Sequence, residues 1–140
     1  DVTDAIRTEE ISVGASKVAA LPAVRAALLD RQRAYRRFPG LVADGRDMAS
    51  VVFPGALAKV FLTASAAARA ERRYKQLIAK GMPANMHALL QDLQERDARD
   101  AQRSVAPLRQ CDDADLVDTT EMDIEAAVAV VMAIAKRQGL

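Results

Sequence analysis

Arg96, Arg99 and Arg103 stand at offsets of three and seven in a run that reads as helix, so their guanidinium groups share one helix face. Three planar, permanently charged forks on one face can grip a polyanion. Asp92, Asp97 and Asp100 are interleaved with them, and the same pattern equally describes a solvated, charge-laced helix. A second set is Asp44-Gly45-Arg46-Asp47, at the end of a short apolar run. Ligands of open α/β sheets bind beyond the carboxyl ends of the strands, so charged residues there suit an anion site. An ion pair of Arg46 with Asp47 or Asp44 at a turn accounts for them equally well. Arginine outnumbers lysine fifteen to five. Alanine is abundant too, and a base-composition bias raises both, so the ratio alone carries no function.

These groups belong to a chain of 140 residues with 20 basic and 19 acidic side chains. That length predicts one domain with one core. A net charge of +1 argues against a protein that coats nucleic acid or anionic lipid over its whole surface, so any phosphate site is local. The single Cys111 makes no internal disulfide and fits a reducing cytoplasm. One cysteine and one histidine, His87, are too few for a zinc cluster, and His87 reads as a solvated helix residue. The longest apolar stretch, 126–135, is well short of the roughly 20 residues that span a bilayer, and a soluble protein is expected.

The spacing predicts the elements that must position the charged groups. Thr8 caps a first helix that stops at Pro22, and Pro22 opens a second, over 23–37, with Val24, Ala27, Leu28 and Tyr35 on its apolar side. Three short apolar runs, 40–45, 58–63 and 114–118, suit buried parallel strands. Ser65 caps a helix that closes at Gly81, and Asn85 caps another that Pro107 stops. The second half of that helix is so charged that it is expected to lie outside the core. Asp123 caps a final helix over 124–137. Strands alternating with helices indicate an α/β fold with a parallel sheet.

Seven strings then carry a resemblance over nearly the whole length. They are Ile6-Arg7-Thr8-Glu9, Ala15-Ser16-Lys17-Val18-Ala19-Ala20, residues 22–29 with Arg25 inside, Asp44-Gly45-Arg46-Asp47-Met48, Val51-Val52-Phe53-Pro54, Glu95-Arg96-Asp97 and Arg103-Ser104-Val105-Ala106-Pro107-Leu108. In this order and with these gaps, the chain resembles bacterial cytidylate kinases. The resemblance implies a P-loop nucleoside monophosphate kinase fold, usually monomeric, with ATP and its Mg²⁺ as phosphoryl donor and CMP or dCMP as acceptor. It divides the chain into the end of a nucleotide-binding insertion (1–40), core (41–71), lid region (72–107) and core (108–140).

It further implies that Ser16, Arg25 and Asp47 surround the base. Cytosine presents an N4 amino donor beside acceptors at N3 and O2, so Arg25 would donate to the acceptors while Asp47 accepts from N4. Uracil would set a carbonyl oxygen against that carboxylate. The resemblance gives the sugar hydroxyls to Arg96 and Asp100 and the monophosphate to Arg46 and Arg103. Arg72 and Arg73 would stand at the base of a closing lid and, with Arg96 and Arg103, bring charge to the transferring group.

Departures accompany the matches. The family opens with a strand and a G-x-x-x-x-G-K loop that holds the ATP phosphates, and no such string occurs here. The first two strands are absent with it, and the chain corresponds to roughly the last three fifths of the family. The family's first strand lies between the strand near Val42 and the strand near Phe61, so the sheet is expected to be gapped or rearranged, or to depend on further segments. Ala49 and Ser50 replace Gly and Thr after Met48, and Gly55 replaces Asp after Pro54. A Cβ at Ala49 would add strain if that position needs a positive φ. A noncatalytic remnant or interaction module that binds CMP weakly or not at all is the alternative reading.

Overall fold

A computed structural model describes residues 2, 6, 8–102, 104 and 106–140. In order, the chain forms α1 (Glu9–Val18), α2 (Pro22–Arg33), a π-helical turn (Met48–Val52), β1 (Val60–Thr63), α3 (Ala66–Ala79), α4 (Met86–Gln102), β2 (Asp115–Asp118) and α5 (Ile124–Arg137). It divides into two compact units, Asp1–Pro54 with Arg96–Arg109, and Gly55–Glu95 with Gln110–Leu140, the division falling within α4.

The helix starts follow from side chains that satisfy the orphan amides of a first turn. Thr8 Oγ1 accepts from Ile11 N at 3.4 Å, Ser65 Oγ from Ala68 N at 3.2 Å, Asn85 Oδ1 from Ala88 N at 3.0 Å and Asp123 Oδ1 from Ala126 N at 2.7 Å. Pro22 opens α2, where its missing N–H costs nothing. After α3 the chain turns at Gly81 with a φ of 70°, a left-handed conformation that glycine adopts without a Cβ clash. Helix α2 ends at Arg33, four residues earlier than the spacing predicts. Tyr35 N and Arg36 N bond back only three residues, to Gln32 O and Arg33 O, and the approach to Pro39 disfavours further helix. The apolar side expected of α2 is not covered either, and none of its residues is buried.

In the second unit β1 and β2 pair in parallel, with Val60 opposite Asp115 and Thr63 opposite Asp118. Asp115 N donates to Lys59 O at 3.0 Å and Thr119 N to Thr63 O at 2.8 Å, extending the ladder at both ends. Val117 is buried while its partner Leu62 and its neighbour Leu116 are exposed, so these strands are only partly covered. Small residues, Ala64, Ala70 and Ala114, join Leu89, Val117 and Ile134 in the core.

Two expectations are corrected. Residues 40–45 form no strand: Val42 is 100% exposed. An isolated run of this length has no partner to satisfy its amides and carbonyls, and strand structure requires one. The described sheet therefore holds two strands in a mixed α/β chain. The charged second half of α4 is not simply a solvated face either, because Asp100 is buried there. Ala49 lies inside the π-helical turn without a positive φ, so its Cβ adds no strain of that kind.

The sheet unit also carries a pH handle. The hydrogen bond from Lys59 Nζ holds the Asp113 carboxyl below its usual range, opposed by burial and helped by the charge of Lys59. A lowered carboxyl pKa in the folded state contributes stability that is present above the unfolded pKa, near 4, and is lost as pH falls through the folded value. We expect Asp113→Asn to lower the urea midpoint slightly above about pH 4 and to leave it nearly unchanged at more acid pH, flattening the acid limb; an unaltered acid limb would contradict this. In amide exchange, Asp115 and Thr119, whose N–H groups bond across the ladder, should be protected on the order of a hundredfold more than Leu41, Val42 and Ala43. Equal protection of the two groups would mean that 40–45 is a strand after all.

Candidate functional site

The polar cluster lies wholly within the first unit, on α1, α2, the loop entering the π-helical turn, and the second half of α4. Asp100 is its centre, with a side chain only 3% exposed. Ser16 Oγ, on α1, donates to Asp100 Oδ1 at 3.1 Å, and Arg46 Nε donates to Asp100 Oδ2 at 2.8 Å. Arg96, one turn earlier on α4, places its Nε 3.8 Å from the same oxygen and its Nη1 on Ser12 Oγ. The backbone secures this position too. Beyond α4 Ala106 takes a φ of 50°, and Leu108 N returns to the Asp100 carbonyl at 2.8 Å.

The second pair is Arg25 with Asp47. Arg25 Nη2 contacts Asp47 Oδ2, and its Nη1 donates to Ala19 O at 3.1 Å, at the end of α1. The two side chains are 17% and 8% exposed. Asp47 is the residue from which the π-helical turn starts: its carbonyl accepts from Val51 N at 2.9 Å and Val52 N at 3.2 Å, and Met48 O accepts from Phe53 N at 2.7 Å. Such turns insert a residue into the helical repeat and recur at functional sites. Gly45 makes room for it, since a Cβ there would stand 2.9 Å from Met48 Cγ.

Of the residues singled out by sequence, Ser16, Arg46, Arg96 and Asp100 come together, and Arg25 meets Asp47. Arg46 does not pair with Asp47 or Asp44, the local partners considered; its partner is 54 residues away on α4. Arg103 lies outside the described residues. Arg99 is half-buried with its Nε enclosed and without a hydrogen-bond partner. Arg72 and Arg73 belong to α3 in the other unit. The guanidinium of Arg72 holds the loop after β2, donating to Thr119 O, to Thr119 Oγ1 at 3.2 Å and to Met122 O at 3.2 Å. His87 is exposed, as expected. Sequence reasoning missed Ser12, although it sits four residues before Ser16 and so on the same face of α1. It also missed Arg33, which donates to Val51 O and Val52 O.

Mg²⁺ takes oxygen ligands, usually one or two carboxylates with substrate phosphates and water. Among the described residues no group of three or more acidic, histidine or cysteine side chains could hold a metal ion, and Asp47 and Asp100 are committed to guanidinium partners. The residues present do not fit a resident magnesium, which enters below only as part of the ATP substrate.

Carboxylates buried against arginines are the chief polar feature of this unit, and the family comparison sets the chain in the class of nucleoside monophosphate kinases. The family model for cytidylate kinase matches residues 1–137. The chain is 63% identical over 139 residues to a cytidylate kinase of Pseudomonas aeruginosa, covering 99% of this chain and 61% of that protein. It is 63% identical over 132 residues to a cytidylate kinase of Polynucleobacter asymbioticus, and 64% over 132 residues to one of Chromobacterium violaceum, in each case 94% of this chain and 60% of the relative. The chain belongs to the cytidylate kinase family. It spans about three fifths of the length of these curated relatives.

The Asp100 cluster has an energetic consequence. In Asp100→Asn the buried carboxylate charge is lost while Arg46 and Arg96 remain. Breaking a buried pair by removing one partner costs several kcal/mol, but Arg46 is 42% exposed and can turn to water. We expect a loss of about 2 kcal/mol in urea unfolding at neutral pH. A change below about 0.5 kcal/mol would show that the cluster does not hold the unit together.

Proposed function

We propose that this chain is the substrate-reading part of a cytidylate kinase, whose reaction moves the γ-phosphoryl group of ATP, presented as its magnesium complex, to CMP or dCMP. A phosphate oxygen of the monophosphate attacks the γ-phosphorus, the bond to the β-bridging oxygen breaks, and ADP leaves with CDP or dCDP formed. In such transfers the protein's work is alignment and charge. A reducing cytoplasm is the compartment this reading takes, and CMP, dCMP and ATP are its partners.

The observation that carries the reading is the contact between the Arg25 guanidinium and the Asp47 carboxylate, both largely withdrawn from water. Side by side they offer donors and an acceptor, the complement of cytosine's N3, O2 and N4. Ser16 is assigned to the base site on the family resemblance, and its hydroxyl would have to leave Asp100 to reach the base. Arg96 and Asp100 take the sugar hydroxyls, and Arg46 with Arg103 takes the monophosphate. Arg46 suits that role because its guanidinium is anchored through Nε to Asp100 while the side chain stays 42% exposed. On this reading Arg96 and Arg103 also bring charge to the reacting phosphate. For the lid, Arg73 and Arg72 are the proposed charges. Arg72 would have to exchange the oxygens of Thr119 and Met122 for those of the phosphoryl group, so its contribution comes with movement of that loop.

Calorimetry with CMP and UMP tests the base assignment directly. The chain should prefer CMP by at least about tenfold, and Asp47→Asn should weaken CMP by roughly ten- to a hundredfold, the worth of a hydrogen bond to a charged group. UMP should lose less or gain, because the asparagine amide can donate to the uracil carbonyl. Equal binding of CMP and UMP by the unaltered chain would overturn the base site. Binding of neither would leave the noncatalytic alternative standing.

A further inference from the structure

We propose that Arg33 is a positioning residue for Asp47, setting the aim of the base-reading carboxylate from the far end of the π-helical turn. The inference rests on the functional reading above and names a residue that reading does not use.

Helix α2 reaches this turn at both ends. Arg25, near its start, contacts Asp47, the residue from which the turn begins. Arg33, its last residue, donates from Nε to Val52 O at 3.1 Å and from Nη2 to Val51 O at 3.2 Å. The two arginines are eight residues apart, about 12 Å along a helix axis. The carbonyls that Arg33 takes are those that any helical turn leaves unsatisfied at its C-terminal end. Without them held, the turn has a strong alternative. Val51 N already bonds four residues back to Asp47 O, at 2.9 Å, while Val52 N bonds five back to the same oxygen at 3.2 Å. The carbonyl of Asp47 is thus shared between the two patterns. Rewinding to the ordinary four-residue repeat would rotate residues 48–52 and re-aim the backbone that bears Asp47.

A guanidinium is suited to this task where an ammonium is not. Its Nε–H and the adjacent Nη2–H lie in one plane and run parallel at a fixed separation, so two successive carbonyls are held in one orientation. Lysine supplies charge at a point and would satisfy one carbonyl at a time. Arg33 is itself exposed, so it serves the site by fixing the turn, with no contact to the base.

The test combines Arg33→Ala, Arg33→Lys and Asp47→Asn in the 140-residue chain, with CMP and UMP affinities by calorimetry. Arg33→Ala is expected to reduce the ratio of CMP to UMP affinity about fivefold, and to change it less than twofold when Asp47→Asn is already present. Arg33→Lys should recover less than half of the ratio. In the free chain, exchange of the Val52 and Phe53 amides should accelerate at least about tenfold in Arg33→Ala while the α5 amides stay unchanged. Equal weakening of CMP and UMP by Arg33→Ala, effects that add fully to Asp47→Asn, or full recovery by lysine would overturn the inference. Discrimination that Asp47→Asn abolishes and Arg33→Ala leaves intact would overturn it while sparing the functional reading. If the unaltered chain shows no discrimination, the functional reading fails, and unchanged Val52 and Phe53 exchange would then refute the mechanical role of Arg33 as well.

Discussion

Burial of two carboxylates against arginine is the constraint on which the first unit depends. Its buried residues, among those described, are Ser16, Asp47, Val52 and Asp100, so polar groups outnumber apolar ones in what serves as its interior. Removing a carboxylate from water costs several kcal/mol, and only well-placed charged donors offset that cost. Asp47 has Arg25, and Asp100 has Ser16, Arg46 and Arg96. These contacts join α1, α2, the 44–47 loop and α4, which are separated by as many as 84 residues in the chain. Because an ion pair is directional, it fixes register between elements in a way that exposed leucines and valines could not. Candidate site and scaffold are therefore one set of atoms in this unit.

The second unit is built by the commoner route. Its helices begin at side-chain caps, its two strands pair in register, and alanines bring the elements close around Val117 and Ile134. Charge appears at its edges, in Arg137 with Asp115, where solvent screens the pair, and in Lys59 with Asp113, where the carboxylate is 65% exposed although the lysine side chain is 8% exposed. Arg72 is the exception, since its donors bind the oxygens of the loop that follows β2. Most of the residues proposed for substrate recognition belong to the unit that buries charge.

What sequence discloses follows from how local each interaction is. Thr8, Ser65, Asn85 and Asp123 cap helices through bonds that span three residues, and each start was legible. The final helix was legible to the residue because a cap, an apolar run and a closing glycine coincide there. Residues 40–45 misled because a strand is a relation between two segments, and apolar composition cannot supply the partner. The π-helical turn left no mark beyond Gly45 and the Arg46-Asp47 pair. At the candidate site, residue types and the likeness to a family set Arg25 beside Asp47 and Arg96 beside Asp100, which the structure brings together, but gave no sign that Ser16 and Arg46 meet Asp100. Spacing offered Arg46 either an anion or the adjacent Asp47 or Asp44, whereas its geometry serves Asp100; a contact across 54 residues has no signature in spacing.

The resting pair of Arg25 and Asp47 bears on how a base would be chosen on the proposed reading. Each group already satisfies the other, so an incoming base competes with an ion pair and not with water alone. Cytosine returns to each group what it gives up, an amino donor for the carboxylate and two acceptors for the guanidinium. Uracil offers the carboxylate an oxygen, which leaves the charge without a donor in a place where solvent cannot replace it. The closed pair is then the lower state, and the wrong base is refused by the protein's own contact. Selectivity on this account grows with the burial of the pair, because deeper burial makes an unmatched carboxylate more costly while a matched exchange stays nearly balanced.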